Sequence, residues 1–248
     1  MRTRRGKPTP ALIIVTSWAE TRPSAWLLGQ AEQSHADTLP PWRRRQWTAA
    51  RLTARAALLL VHGRPPHGLE ILPAADGAPR ILGAAATTWW VSLSHSGDWA
   101  ACAVSPLGRP MGVDIEHDDA CDLELLARVS APDELPPVPR SATSRWATSR
   151  WARKEAAFKA CRGVPAALSC YRVGGDGSIV AGQPGATRPR QLTSWETNVP
   201  GAVLAVAGQP GPAPAVRVLA GSAVLAFLGK ARRGQERRAR PRPEPTFP

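Results

Sequence analysis

The order of patterned segments predicts an α+β protein made of two similar halves. Three observations carry that expectation. A long helical pattern at 42–62 precedes strand-like runs at 89–95 and 99–105, a strand-like run at 111–116 precedes helical patterns at 122–129 and 143–162, and Leu107-Gly-Arg-Pro110 breaks the chain between the two blocks. The resulting division is a disordered basic arm at 1–10, an N-terminal half at 11–108, a C-terminal half at 109–228 and a disordered basic tail at 229–248.

Each element has a local reason. The apolar residues Ala11 to Val15 suit a half-buried strand within 11–18 and are too few for a secretory apolar segment. The helix at 42–62 is closed by Gly63-Arg-Pro-Pro. In the run 89–95, Val91 and Leu93 share a face that ends at His95, and Ser96-Gly97 turns the chain into the next strand. Residues 111–116 alternate strictly, with Met111, Val113 and Ile115 on one face and Gly112, Asp114 and Glu116 on the other. Pro132 to Pro139 reads as a proline-studded loop. In the helix at 143–162, Trp151, Glu155 and Lys159 lie four apart on one stripe. Trp151 and Phe158 are expected in the core, and the small residues at 156, 157 and 160 let the helix lie close against a sheet. Strands at 168–173 and 202–207 and a helix at 218–228 complete the expectation. A direct repeat, Thr143-Ser-Arg-Trp-Ala147 then Thr148-Ser-Arg-Trp-Ala152, is too short for a repeat architecture.

Composition narrows the class. The chain has 248 residues, 43% of them apolar, enough for a buried core. No apolar run approaches bilayer length, so a soluble protein with no membrane association is expected, cytoplasmic by default. Cys102, Cys121, Cys161 and Cys170 form no CxxC pair and lack histidines at metal spacing, which points to reduced thiols. The net charge of +13 is concentrated at the ends. Residues 1–10 carry four basic and no acidic groups, and residues 229–248 carry seven basic and two acidic ones. The body is left only mildly basic, which argues against nucleic acid as its partner.

Three motifs carry chemistry. Asp114 and Glu116 stand side by side on one strand face with Gly112 leaving space beside them. Such a pair repels itself unless a cation intervenes, and hard oxygen ligands suit Mg²⁺, whereas the plain alternative is a solvated strand face. Trp151-Ala-Arg-Lys-Glu-Ala-Ala-Phe-Lys159 places Glu155 and Lys159 at i,i+4, which a simple salt bridge also explains. Val91-Ser-Leu-Ser-His-Ser-Gly97 puts a histidine between serines at a strand end, suited to an anion or to a structural role.

The order and spacing of these motifs, SHSG, then GVDIE, then WxxKEAxxK, closely resembles the 4′-phosphopantetheinyl transferase superfamily over roughly residues 40–165. The length and paired halves look like its larger pseudo-dimeric, surfactin-synthetase-activating branch, whose active site lies between the halves. The resemblance implies transfer of 4′-phosphopantetheine from coenzyme A to a serine of an apo acyl or peptidyl carrier protein. It implies that Asp114, Glu116 and Glu155 hold Mg²⁺, or Mn²⁺, against the pyrophosphate. Lys154 and Lys159 then face the cofactor phosphates, with Glu155 and Lys159 as the catalytic pair. Ser94 and His95 match a Ser-His pair that contacts the cofactor. Arg43-Arg-Arg-Gln-Trp-Thr-Ala-Ala-Arg51-Leu-Thr-Ala-Arg55 looks like the family's basic helix, with Arg43 and Arg51 the chosen phosphate contacts, although Arg44, Arg51 and Arg55 also share a stripe.

The chain departs from the pattern in two places. Asp76-Gly-Ala-Pro79 stands where the family often has a lysine aimed at the cofactor, leaving Arg80 to compensate or the contact missing, and Ala50 replaces a glycine. The resemblance implies a monomer, with either Glu155 or a metal-bound water as the base. The rival expectations are a nucleic-acid-binding protein with arginine-rich arms, best placed at Arg232-Arg-Gly-Gln-Glu-Arg-Arg238, and a catalytically inactive relative.

Overall fold

The computed structural model describes residues 11–63, 68–83, 89–135, 144–183 and 187–239. In chain order its elements are β1 (Leu12–Ser17), α1 (Gln30–Asp37), α2 (Pro41–His62), β2 (Glu70–Pro73), β3 (Pro79–Leu82), β4 (Trp89–Ser96), β5 (Trp99–Pro106), β6 (Met111–His117), α3 (Leu123–Ala127), α4 (Ser144–Ala160), β7 (Tyr171–Val173), β8 (Ser178–Ala181), β9 (Arg190–Val199), β10 (Ala202–Gly208), β11 (Ala215–Ala220) and α5 (Gly221–Ala239). The protein is mixed α+β.

Two sheets form the centre. One has the order β11-β1-β5-β4 and the other β6-β10-β9-β8-β7, with β2 and β3 as a separate hairpin. Alternation along β1 explains the stacking. Leu12 and Ile14 join Ala54, Leu58 and Val104 in a cluster with α2, whereas Ile13 and Val15 turn the other way onto Val113, Ile115, Leu204 and Val206 of the second sheet. The far face of the second sheet is covered by α4, through Ala152, Ala156 and Ala157 against Tyr171, Ile179, Ala205 and Ala207. The layers therefore run helix, sheet, sheet, helix.

The two long helices have clear local causes. Pro41 opens α2 at a position where its missing N–H costs nothing, and Gly63 closes it in a left-handed conformation at φ 74°, its N–H bonded to Leu59 O at 2.9 Å. On the other side, α4 lies against β6 because Gly112 has no side chain, since a Cβ there would collide with the Ala156 carbonyl. The expected small residues of this helix, Ala156, Ala157 and Ala160, are buried in that contact.

Several expectations need correcting. Residues 218–228 do not form one helix, because 215–220 is a strand that pairs parallel to β1 and the helix starts at Gly221. That pairing carries a C-terminal segment into the first sheet. Residues 229–239, expected in a disordered tail, continue α5, and Val224 and Leu228 of this helix pack with Leu52 and Trp18. The basic arm at 1–10 and residues 240–248 lie outside the described residues, as do residues 136–139 of the proline-studded loop. The 168–173 strand is shortened to Tyr171–Val173, preceded by a 3-10 turn. Among the described residues no helix is long and apolar enough to cross a membrane, and all four cysteines are free thiols.

Candidate functional site

A cavity of about 550 Å³ opens where the two sheets and their helices meet. From α2 come Arg43, Trp47 and Arg51, at i, i+4 and i+8 on one face. β4 adds Leu93, Ser94 and His95, β6 adds Asp114 and Glu116, and α4 adds Trp151, Glu155 and Lys159. The α1 side supplies His35 and Leu39, and the β2–β3 turn supplies Gly77 and Pro79.

At the acid end, Asp114 is 2% exposed. Its Oδ1 accepts from Lys159 Nζ at 2.6 Å and from Ser94 Oγ at 2.7 Å, and Lys159 Nζ also donates to Ser94 Oγ at 3.3 Å. Asp114 Oδ2 is buried with no hydrogen-bond partner among the described residues. Burial, then the Asp114 charge, pushes the Glu116 carboxyl up to about 7, with Ser96 and Lys159 opposing and Glu155 adding to the rise. Burial also raises Glu155, opposed by Lys159 and reinforced by Asp114. For Lys159 the cost of burial is outweighed by Asp114, Glu155 and Glu116, so its ammonium is held above the ordinary lysine value.

At the other end Arg51 is 7% exposed, with Nε donating to Ile71 O at 3.0 Å and the guanidinium 4.3 Å from the Trp47 ring centroid. Burial lowers it to about 10, against the pull of Glu32, so it is still a cation at neutral pH. Arg43 is exposed, its guanidinium 6.0 Å from the Trp42 ring centroid. His95 is pushed below the ordinary histidine value by burial and by the charges of Arg43, Lys159 and Arg51, so the imidazole is neutral at pH 7.

The acids fit a divalent cation in chemistry. They are hard oxygen donors, burial and then the neighbouring Asp114 charge raise Glu116, and one buried oxygen lacks a partner among the described residues. They do not close into a ready-made cage, since no group of three His, Cys, Asp or Glu among the described residues is positioned to hold a metal. The Lys159 ammonium lies on Asp114 instead.

Residues 110–172 match the model of the 4′-phosphopantetheinyl transferase superfamily. The matched segment runs from β6 through α4 to the start of β7, so it holds both strand acids, Glu155 and Lys159 but none of the α2 or β4 residues. It supports phosphopantetheinyl transferase activity in general terms. No curated protein matches the chain.

Most of the expected site residues are brought together: Arg43, Arg51, Ser94, His95, Asp114, Glu116, Glu155 and Lys159 all line the cavity. Lys154 is not among them. It is 1% exposed, its ammonium bonded to Glu134 Oε1 at 2.9 Å and to Tyr171 O at 2.6 Å, because one residue along a helix turns the side chain about 100° away from Glu155. Ser94 is present, but its hydroxyl proton goes to Asp114. Arg80 is exposed and does not line the cavity, and Arg162 is the cation near this turn, 3.8 Å from Asp76. Trp151, expected in the core, is a half-buried cavity wall, and Phe158 is half-buried beside Lys159 in a neighbouring cavity of about 270 Å³. Sequence reasoning also passed over Trp47 and His35, whose rings lie 5.0 Å apart. The Arg43–Trp47–Arg51 spacing was the available signal for the first.

Proposed function

We propose that this protein transfers the 4′-phosphopantetheine of coenzyme A to a serine of an apo acyl or peptidyl carrier protein, releasing adenosine 3′,5′-bisphosphate. The observation that carries the reading is one cavity with acids at one end and the Arg43–Arg51 cations at the other. A pyrophosphate ester with a second phosphate on its nucleoside matches that division of charge. We read the two stacked sheet-and-helix layers as the paired halves of the larger, surfactin-synthetase-activating branch, acting as a monomer.

Asp114, Glu116 and Glu155 would hold Mg²⁺ or Mn²⁺, which when bound neutralises charge on the pyrophosphate and makes its phosphorus more electrophilic. The remaining work falls to side chains. Arg43 and Arg51 grip the nucleoside phosphate through their planar forks. Neutral His95 offers a hydrogen bond without adding charge. Lys159 meets the phosphate charge that gathers on the leaving group. The carrier serine oxygen forms a new bond to phosphorus as the bond to the adenosine bisphosphate oxygen breaks, and the serine proton passes to Glu155, which burial has made a better base.

Intact mass of a panel of apo carrier proteins, incubated with the enzyme, coenzyme A and Mg²⁺, tests this directly. The wild type is expected to add one phosphopantetheine to at least one carrier, EDTA to stop it, and Asp114→Ala to be inactive while folded. Transfer that persists in excess chelator or in Asp114→Ala removes the metal site, and no mass gain on any carrier removes the function.

A further inference from the structure

β4 and β6 are edge strands of different sheets, and their join is made by side chains. The even-numbered residues of β4 make it. Trp90 Nε1 donates to Met111 O at 2.7 Å, Ser92 Oγ accepts from Val113 N at 3.1 Å, and Ser96 Oγ accepts from His117 N at 3.4 Å. Between the last two, Ser94 Oγ donates to Asp114 Oδ1 at 2.7 Å. A hydroxyl has one proton to give. Ser94 directs its proton to an acid.

We propose that Ser94 is a positioning residue that orients Asp114, beside Glu116 and Glu155, from the edge strand of the other sheet. The inference rests on the reading that these acids hold a divalent cation. Its physical basis is rotational: the terminal torsion of a carboxylate is broad and roughly two-fold, so an untethered Asp114 presents either oxygen. Ser94 and Lys159 together claim Oδ1, which leaves Oδ2 as the buried oxygen with no partner. Ser94 thus acts through Asp114 instead of on the cofactor. Ser92, in the same row, meets only a backbone N–H among the described residues and is a built-in control.

Titration of the full chain with Mn²⁺, followed by electron paramagnetic resonance with and without coenzyme A, tests this. Loss of a partner that orients a metal ligand weakens metal binding by about 10–100-fold, and that is the expected effect of Ser94→Ala and of the near-isosteric Ser94→Cys. Ser92→Ala should lower the melting temperature while leaving Mn²⁺ affinity within about twofold, and the KM for coenzyme A of Ser94→Ala at saturating Mn²⁺ should stay within about threefold, since on this proposal Ser94 acts through Asp114. Unchanged Mn²⁺ affinity with a raised KM for coenzyme A would overturn the proposal and return Ser94 to the cofactor. An equal loss of affinity in Ser92→Ala would overturn it as well, reducing the serines to general strand joining. A wild type that binds no Mn²⁺ under either condition overturns the metal reading itself, an outcome distinct from equal affinities in wild type and variants.

Discussion

Arg43 and Arg51 sit four residues either side of Trp47 on the same helix face, yet their surroundings differ. Arg51 is buried, stacked on Trp47 and bonded to the Ile71 carbonyl, so it ties α2 to the β2–β3 hairpin. Arg51→Ala should therefore cost about 1–3 kcal/mol in urea unfolding as well as raise the KM for coenzyme A. Arg43→Ala should raise the KM alone, with stability within about 0.5 kcal/mol of wild type. Equal stability losses in both would refute the division. The acids give a pH dependence with a definite sign. Glu116 is raised from the ordinary 4.5 to about 7, so its contribution to stability is fully present below about 4.5 and is lost as pH rises through about 7. Glu155 is displaced in the same direction, while His95, displaced downward, works in the opposite sense. Melting temperatures in chelator should thus fall more steeply between pH 5 and pH 8 in wild type than in Glu116→Gln, and added Mg²⁺ should reduce the difference. Identical slopes would count against a strained acid site. This strain was legible in the sequence, because strict alternation from Met111 to Glu116 places both acids on one face. Which oxygen is left without a partner was not, since it depends on Ser94 and Lys159, 20 and 45 residues away.

Lys154 shows how an element can be read correctly and one of its residues misplaced. The stripe Trp151, Glu155 and Lys159 is found on the cavity side of α4 as the periodicity requires. The adjacent Lys154 points into the protein, where its ammonium holds the segment Pro132–Glu134 through Glu134, whose carboxylate also accepts from Val173 N at 2.9 Å. Burial lowers the Lys154 pKa, and Glu134 opposes that fall. Removing one partner of such a pair leaves the other charge buried, so Lys154→Met should cost about 3–5 kcal/mol, and Lys154→Met with Glu134→Leu should recover much of it. The KM for coenzyme A should not move beyond what instability explains. A fully stable Lys154→Met with a large rise in that KM would put Lys154 back at the cofactor. The elements missed from sequence share physical causes. α1, with the sequence QAEQSHAD, has no apolar stripe and buries only Glu32 and Ala36. β9 reads as polar because its buried face carries Ser194 beside Leu192, and the positions between and after them, Thr193 and Trp195, are only half-buried. β11 depends on a parallel partner about 200 residues earlier in the chain, which no local pattern announces.

At the scale of the molecule, the cavity takes its walls from both helix-and-sheet layers: α2 and β4 belong to one, β6 and α4 to the other. The layers already share an apolar interface through Ile13, Val15, Val113, Ile115 and Leu204, all fully buried. A ligand that fills the cavity therefore acts on contacts between layers as well as within them, and its binding energy adds to the stability of the native state alone. Coenzyme A held at 100 times its dissociation constant should stabilise the protein by about 2.7 kcal/mol. Mg²⁺ should raise the gain further by drawing the three acids onto the pyrophosphate. The Asp114→Ala protein should keep the part of the gain that comes from the arginine end and lose the part that depends on Mg²⁺. Amide hydrogen exchange distinguishes this from binding to one wall. With coenzyme A and Mg²⁺ present, protection should rise in α2 and in α4 together, because both helices face the same ligand. Protection confined to α2, with α4 exchanging as in the free protein, would mean that the cations and the acids do not share a ligand. In that case the single cavity would be a coincidence of packing, and the transferase reading would lose the observation on which it stands.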